Sequence, residues 1–280
     1  MRFIVLGDSK GKDNGVNEKV LTKLLSQSKK LNPEPEFIVL CGDNVAGSSN
    51  KDIFMNQLQN LRKLIKKHYP DNALIPVVGN HEVNNEPSDE SYEVIFEKAY
   101  RDMLPVSCLS GYNNTVYYID YGSTRLIILN SFHYGEVNKI GQRQLNWFEK
   151  AASADIKNKF VFVHSPAFPT GAHFGHCLDL YPEDRDAFWR TAQSCNVDIV
   201  FSGHEHNYSR RKKEDHRATY QIITGGGGEK LRDKFKDREG ILAGPKAQHH
   251  FVVVDVKPDY IELCALNSEG KLLDKFRIKK

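Results

Sequence analysis

The chain has 280 residues, 40% hydrophobic and 27% charged, enough for one large domain or two small ones with roughly 75% of the unfolded surface buried on folding. A formal net charge of only +3 excludes a chain-wide basic polyanion binder. Five cysteines, an odd number with no Cys-x-x-Cys pair, exclude a zinc ribbon and a complete disulfide framework and lead us to expect reduced, buried thiols.

The chain opens on the strand-like run Arg2 to Leu6 rather than a basic, apolar leader. Nowhere does an apolar run approach the roughly 20 residues of a membrane span. Cytoplasmic residence and no membrane partner are the expectation. Further runs rich in valine, isoleucine and phenylalanine follow in order at Phe37–Cys41, Leu74–Val78, Val116–Tyr121, Leu126–Leu129, Phe160–Val163, Ile199–Phe201, Tyr220–Thr224, Phe251–Val256 and Ile261–Leu266. With Phe3–Leu6 they have the pattern of strands buried on both faces. Helical periodicity separates the earlier ones. Val16 to Leu31 and Ile53 to Ile65 each carry an apolar stripe, and Glu90–Leu104, Gly141–Ala152 and Glu183–Ser194 are further candidates. Strand and helix alternate to about residue 205, after which strands follow one another, which predicts an α/β layered domain over residues 1–280. The stretches Asn84–Ser91 and Pro166–Pro182 lack periodicity and follow motif-bearing strands, as functional loops do.

Polar residues collect where the apolar runs stop. Gly7-Asp8 follows the first, Gly42-Asp43-Asn44 the second and Gly79-Asn80-His81-Glu82 the third, while Phe160–Val163 leads to His164 and Ile199–Phe201 to Gly203-His204-Glu205-His206. In α/β sheets the carboxyl ends of strands line the ligand crevice, so these side chains can converge. Aspartate oxygens, an asparagine carbonyl and imidazoles suit a borderline divalent metal such as Mn, Fe or Zn, and there are enough for two ions.

As a set these motifs resemble the calcineurin-like metallophosphoesterases. Thr224-Gly225-Gly226-Gly227 fits the same pattern, and Asn207-Tyr208 after the His-Glu-His pair gives it the flavour of the purple-acid-phosphatase-like branch. The resemblance implies a four-layer sandwich of two mixed β-sheets flanked by helices, with a dinuclear metal centre at the edge. Asp43 would bridge the ions, Asp8 and His206 would serve the first, and Asn80, His164 and His204 the second. His81 would contact the phosphate and act as the acid. Two cations about 3.5–4 Å apart can clamp a phosphoryl group and supply hydroxide for in-line attack, so hydrolysis of a small phosphomonoester or phosphodiester is expected.

The sequence departs from that pattern at two places. Lysine stands at position 10, where most relatives carry a metal-binding histidine, and Ala46 stands where the iron-tyrosinate enzymes carry tyrosine. The first site would keep Asp8, Asp43 and His206, with Asn44 or water, and would bind its ion weakly. Lys10 either faces the phosphate or the ligand shell, or turns to solvent. Glu82 orients His81 or, the favoured reading, is structural. His133 and His173 are candidates to touch substrate, whereas His68, His216, His249 and His250 read as surface or core residues. The run Arg210-Arg211-Lys212-Lys213 is expected to be a solvated loop. A nuclease is the alternative within the class, disfavoured by the near-neutral charge. A binding or regulatory protein weakened by Lys10 is the alternative outside it.

Overall fold

The computed structural model describes residues 1–70, 73–85, 88–105, 107–213 and 219–280; His216 and two residues of the 84–91 loop lie outside them. One sheet contains β1 (Arg2–Leu6), β3 (Phe37–Cys41), β4 (Leu74–Val77), β12 (His250–Val256), β13 (Tyr260–Asn267) and β14 (Leu272–Lys279), in the order β14-β13-β12-β1-β3-β4. The other contains β5 (Tyr117–Tyr121), β6 (Thr124–Ile128), β7 (Asn158–Phe162), β8 (Ile199–Ser202), β9 (Tyr208–Lys212), β10 (Tyr220–Thr224) and β11 (Ile241–Lys246), in the order β11-β9-β10-β8-β7-β6-β5. Both are mixed. The strands β1, β3 and β4 run parallel beside the antiparallel β12, and β6, β7, β8 and β10 run parallel beside the antiparallel β5 and β9. A short β2 (Lys10–Asp13) follows β1.

Side-chain alternation with period two explains the layering. Leu126, Ile128, Phe160, Phe162, Ile199 and Phe201 enter the core shared with the first sheet, where Phe3 and Phe160 meet edge to face at 5.6 Å. The intervening Ile127, Val161, Val163 and Val200 enter a second core against Phe148 of α4 (Gln142–Ala152) and Phe188 of α5 (Pro182–Ser194). The helices α1 (Glu18–Ser28), α2 (Lys51–Lys66) and α3 (Ser91–Tyr100) bury their apolar stripes in the first core. The fold is the expected four-layer sandwich. Among the described residues no helix is long and apolar enough to cross a membrane. All five cysteines are free, with Cys41, Cys177 and Cys195 buried and Cys108 and Cys264 only half-buried.

The basic run after His206 is not a solvated loop. Its first three residues belong to β9, between β10 and β11, and Arg211 is buried against Asp237. Arg210 and the Tyr208 hydroxyl both donate to Asp274 of β14, joining the second strand of one sheet to the edge strand of the other. Burial would raise the Asp274 pKa, but these donors outweigh it and hold the carboxyl below its ordinary 3.8. A depressed carboxyl stabilises the fold above its unfolded pKa and loses that contribution as pH falls through the folded value. Asp274→Ala is therefore expected to cost about 2 kcal/mol at neutral pH, with a deficit that shrinks below pH of about 4. Urea unfolding across that range checks it; a deficit independent of pH would rule out the ionic contribution.

Candidate metal centre

Parallel strands bring their carboxyl ends to one edge, and there β1, β3 and β4 of one sheet meet β7, β8 and β10 of the other. Backbone bonds fasten the junction: Gly7 N donates to Thr224 O at 2.8 Å, Asp8 N to Gly42 O at 2.9 Å and Gly227 N to Gly7 O at 2.8 Å. Among the described residues two buried groups could hold a metal ion, Asp43 with His164 and His204, and Asp8 with Asp43 and His206, and within each group the donor atoms lie within 4.8 Å of one another. Asp43 belongs to both. Asp8, Asp43, His204 and His206 all have positive φ, 61°, 51°, 68° and 44°. Such conformations are uncommon outside glycine and collect at functional sites.

Backbone carbonyls decide which imidazole nitrogens are bare. His164 Nδ1 lies 2.8 Å from Cys41 O and His204 Nε2 lies 3.3 Å from His176 O, so these nitrogens carry the protons. His164 Nε2 and His204 Nδ1 then face each other at 3.2 Å as lone pairs, with Asp43 Oδ1 at 3.3 Å from the former. Likewise His206 Nδ1 lies 3.0 Å from Lys230 O, which leaves Nε2 at 3.3 Å from Asp8 Oδ1. Converging acceptors repel unless a cation lies among them. Asp8 Oδ1 and Asn80 Oδ1 are moreover buried without a hydrogen-bond partner, the Asn80 amide nitrogen being committed to Asn85. The donor set thus fits a divalent metal. In its absence a proton takes the place: burial lowers the His164 pKa, but the Asp43 carboxylate outweighs burial and raises it to about 9.

Two glutamates inside the motifs organise the loops. The buried Glu82 carboxylate accepts from the backbone N–H groups of Gly79, Asp43, Asn44 and Val45. Burial, and then Asp43, push its pKa up to about 7. It does not contact His81 through these bonds, in keeping with the structural role. Glu205 does the same for the 170–173 turn, accepting from Thr170 Oγ1 and the N–H groups of Gly171, Ala172 and His173. This places the His173 ring 4.2 Å from that of His204 and 5.6 Å from that of His206. Burial, and then the neighbouring His206, lower the His173 pKa to about 4, so it is neutral at neutral pH.

The His81 ring is directed by the carbonyl of Ala46, which accepts from Nδ1 at 2.7 Å, and its Nε2 lies 3.9 Å from Asp43 Oδ2. Lys10 does not turn to solvent: its Nζ lies 2.5 Å from Asp43 Oδ2 and the residue is 7% exposed. The Asn44 amide nitrogen donates to Val77 O, while its Oδ1 is buried without a partner. His133 is not brought into the cluster. Its Nδ1 is 3.0 Å from Glu93 and its ring stacks on Tyr112 at 3.7 Å. Its neighbour Phe132 instead packs against the rings of His164 and His204, at 5.9 and 6.0 Å. The carbonyls of Cys41, Ala46, His176 and Lys230 are functional groups the sequence did not reveal, because any residue type supplies one.

Gly42 shows how little room the centre leaves. Its φ is +81° and a Cβ there would stand 2.4 Å from His164 Nδ1. Gly42→Ala is expected to destabilise the fold by more than about 1 kcal/mol and to weaken metal binding by displacing His164. Parallel melting and metal titration check this; wild-type values in both would contradict the packing described.

A two-sheet sandwich whose strand ends gather Asp and His side chains able to hold a metal around one shared carboxylate is the arrangement the motifs led us to expect. The chain belongs to the calcineurin-like phosphoesterase family, whose sequence model matches residues 1–208. Human serine/threonine-protein phosphatase CPPED1 (Homo sapiens) is 25% identical over 296 residues, spanning 95% of this chain and 83% of that protein. Purple acid phosphatase PPD1 from yellow lupin (Lupinus luteus) superposes with a TM-score of 0.77 at 18% identity, over all of this chain and 53% of the lupin chain. A dimetal phosphatase from Danio rerio superposes with a TM-score of 0.69 at 14% identity, over all of this chain and 98% of that one. At such identities the structural likeness is one of fold, and chemistry rests on the site.

Proposed function

We propose that this chain, acting as one unit over residues 1–280, hydrolyses a phosphomonoester or phosphodiester by in-line displacement at the Asp43 centre. The observation that supports this reading is the convergence of His164 Nε2, His204 Nδ1 and Asp43 Oδ1, the two imidazole nitrogens 3.2 Å apart and the carboxylate oxygen 3.3 Å from His164 Nε2. Asp43, Asn80, His164 and His204 would hold one ion, and Asp8, Asp43 and His206 form the neighbouring cluster. A bound divalent metal supplies Lewis acidity and makes the attacking water acidic near neutral pH.

The remaining work belongs to side chains. His81 faces a cavity of about 480 Å³ lined also by Lys10, Lys12, Asn17 and Lys230. With Nδ1 donating to Ala46, its Nε2 is free toward the cavity, and as an imidazolium the ring would contact the phosphate through Nε2–H and pass that proton to the leaving oxygen, returning to the neutral Nδ1–H form. Lys10 offers positive charge to the phosphate, and neutral His173, beside the His204 and His206 rings, offers a hydrogen bond. His133, engaged with Glu93, would act only at the margin of the substrate.

The test is turnover of aryl phosphates, bis-aryl phosphodiesters, nucleotides, DNA and phosphoserine or phosphothreonine peptides, each with Mn, Fe, Zn, Co and Mg. The peptides are included because the CPPED1 relatives are named serine/threonine-protein phosphatases. Metal-dependent turnover of an ester is expected. Turnover of DNA alone would move the assignment to a nuclease, and metal binding with no turnover of any substrate would make the chain a binding protein.

A further inference from the structure

Asp43 is shared unequally. Its Oδ1 accepts from His81 N at 3.0 Å and lies 3.3 Å from His164 Nε2, on the side of His204. Its Oδ2 is taken by the ammonium of Lys10 at 2.5 Å. That lysine is fixed as well as buried: its backbone N donates to Asp43 O at 3.1 Å, and a bridge to Val16 closes the hairpin behind it. Asp43, Asp8 and, more weakly, Glu229 are the carboxylates whose charges act on it.

We propose, building on the metal-dependent reading above, that the Lys10 ammonium is the resident cation of the Asp8, Asp43 and His206 cluster. This chain then binds one divalent ion tightly, between Asp43, Asn80, His164 and His204, instead of two. With Asp43 Oδ2 committed to Lys10, Asp8 Oδ1 and His206 Nε2 are the two carboxylate and imidazole atoms left in that cluster among the described residues, 3.3 Å apart. Two protein ligands fall short of the three or four that hold a borderline divalent ion. A second ion would also have to share a carboxylate with a buried ammonium, and like charges at such separations repel strongly away from water. The lysine stands in the chain where the family resemblance places a metal-binding histidine, so loss of a ligand and gain of a cation are one substitution. The single charge on Lys10 is permanent, placed beside the phosphate cavity, and independent of metal supply.

The experiment is metal stoichiometry of the full chain, by calorimetric titration of the apoprotein with Mn and elemental analysis, with electron paramagnetic resonance of the loaded protein. Wild type is expected to bind one Mn, any second ion at least about 100-fold more weakly, and to give an uncoupled six-line spectrum. Lys10→His is expected to bind two ions within about tenfold of each other and to show a spin-coupled pair. Lys10→Met, which removes the charge without adding a ligand, is expected to tighten the second ion relative to wild type and serves if the histidine variant does not fold. Two tightly bound ions in wild type, or a second-ion affinity unchanged in the variants, would overturn this inference and leave the proposed hydrolysis standing. No ion bound at all would overturn both.

Discussion

Asp43→Asn is expected to lower phosphoester turnover by about 10³-fold or more, the loss of about 4 kcal/mol of transition-state stabilisation. Among the described residues Asp43 is the one side chain common to both candidate clusters, and its two oxygens are assigned, one toward His164 and the other to Lys10. Asparagine keeps the size but removes the charge, and its amide nitrogen would face either a metal or an ammonium. Lys10 and His164, through their charges, hold the Asp43 carboxyl well below the usual range although burial pushes the other way, so the ionised form is the one the site is built around. The loss should fall on kcat/KM and on metal content together while the melting temperature shows a folded protein. Activity within tenfold of wild type would mean that the shared carboxylate is not the organising group.

Glu82→Ala has its largest effect on stability. The carboxylate is inaccessible and is the acceptor for four backbone N–H groups drawn from two loops, those of Gly79, Asp43, Asn44 and Val45. Removing it leaves donors buried without partners, each worth about 1–3 kcal/mol and not additive. A total of about 3–5 kcal/mol is expected, and a fall in melting temperature on the order of 10 °C. Glu82→Gln should recover part of this, because one amide oxygen can still accept while the NH₂ group opposes the remaining donors. Equal melting of Glu82→Ala and wild type would contradict the role assigned to this residue.

The strands that position the site were legible because they are buried on both faces: Phe3–Leu6, Phe37–Cys41 and Phe160–Val163 are continuous apolar runs in parallel strands. Those that escaped notice are edge or near-edge strands. In β14 the charged residues alternate with half-buried ones, and β11 carries Pro245 on the sheet's outer edge, where a missing N–H is tolerated. The β9 arginines read as a solvated run because their partners, Asp237 and Asp274, lie 26 and 64 residues away. At the site, the clustered Asp and His residues were visible as polar stops after apolar runs. Lys10 was not resolvable, since its direction depends on a four-residue hairpin strand with no hydrophobic pattern. His133 shared the strand-end signal but is claimed by Glu93 from α3, a contact 40 residues distant.

The central claim is that the Asp43, His164 and His204 cluster acts on phosphoesters only when it holds a metal. The most direct measurement is steady-state hydrolysis of an aryl phosphate and a bis-aryl phosphodiester by the apoprotein as Mn is added, run beside His204→Ala. Turnover of at least one ester should rise from background and saturate with metal occupancy in the wild type and stay at background in the variant. Hydrolysis that persists under chelation, or equal rates in wild type and His204→Ala, would contradict the account.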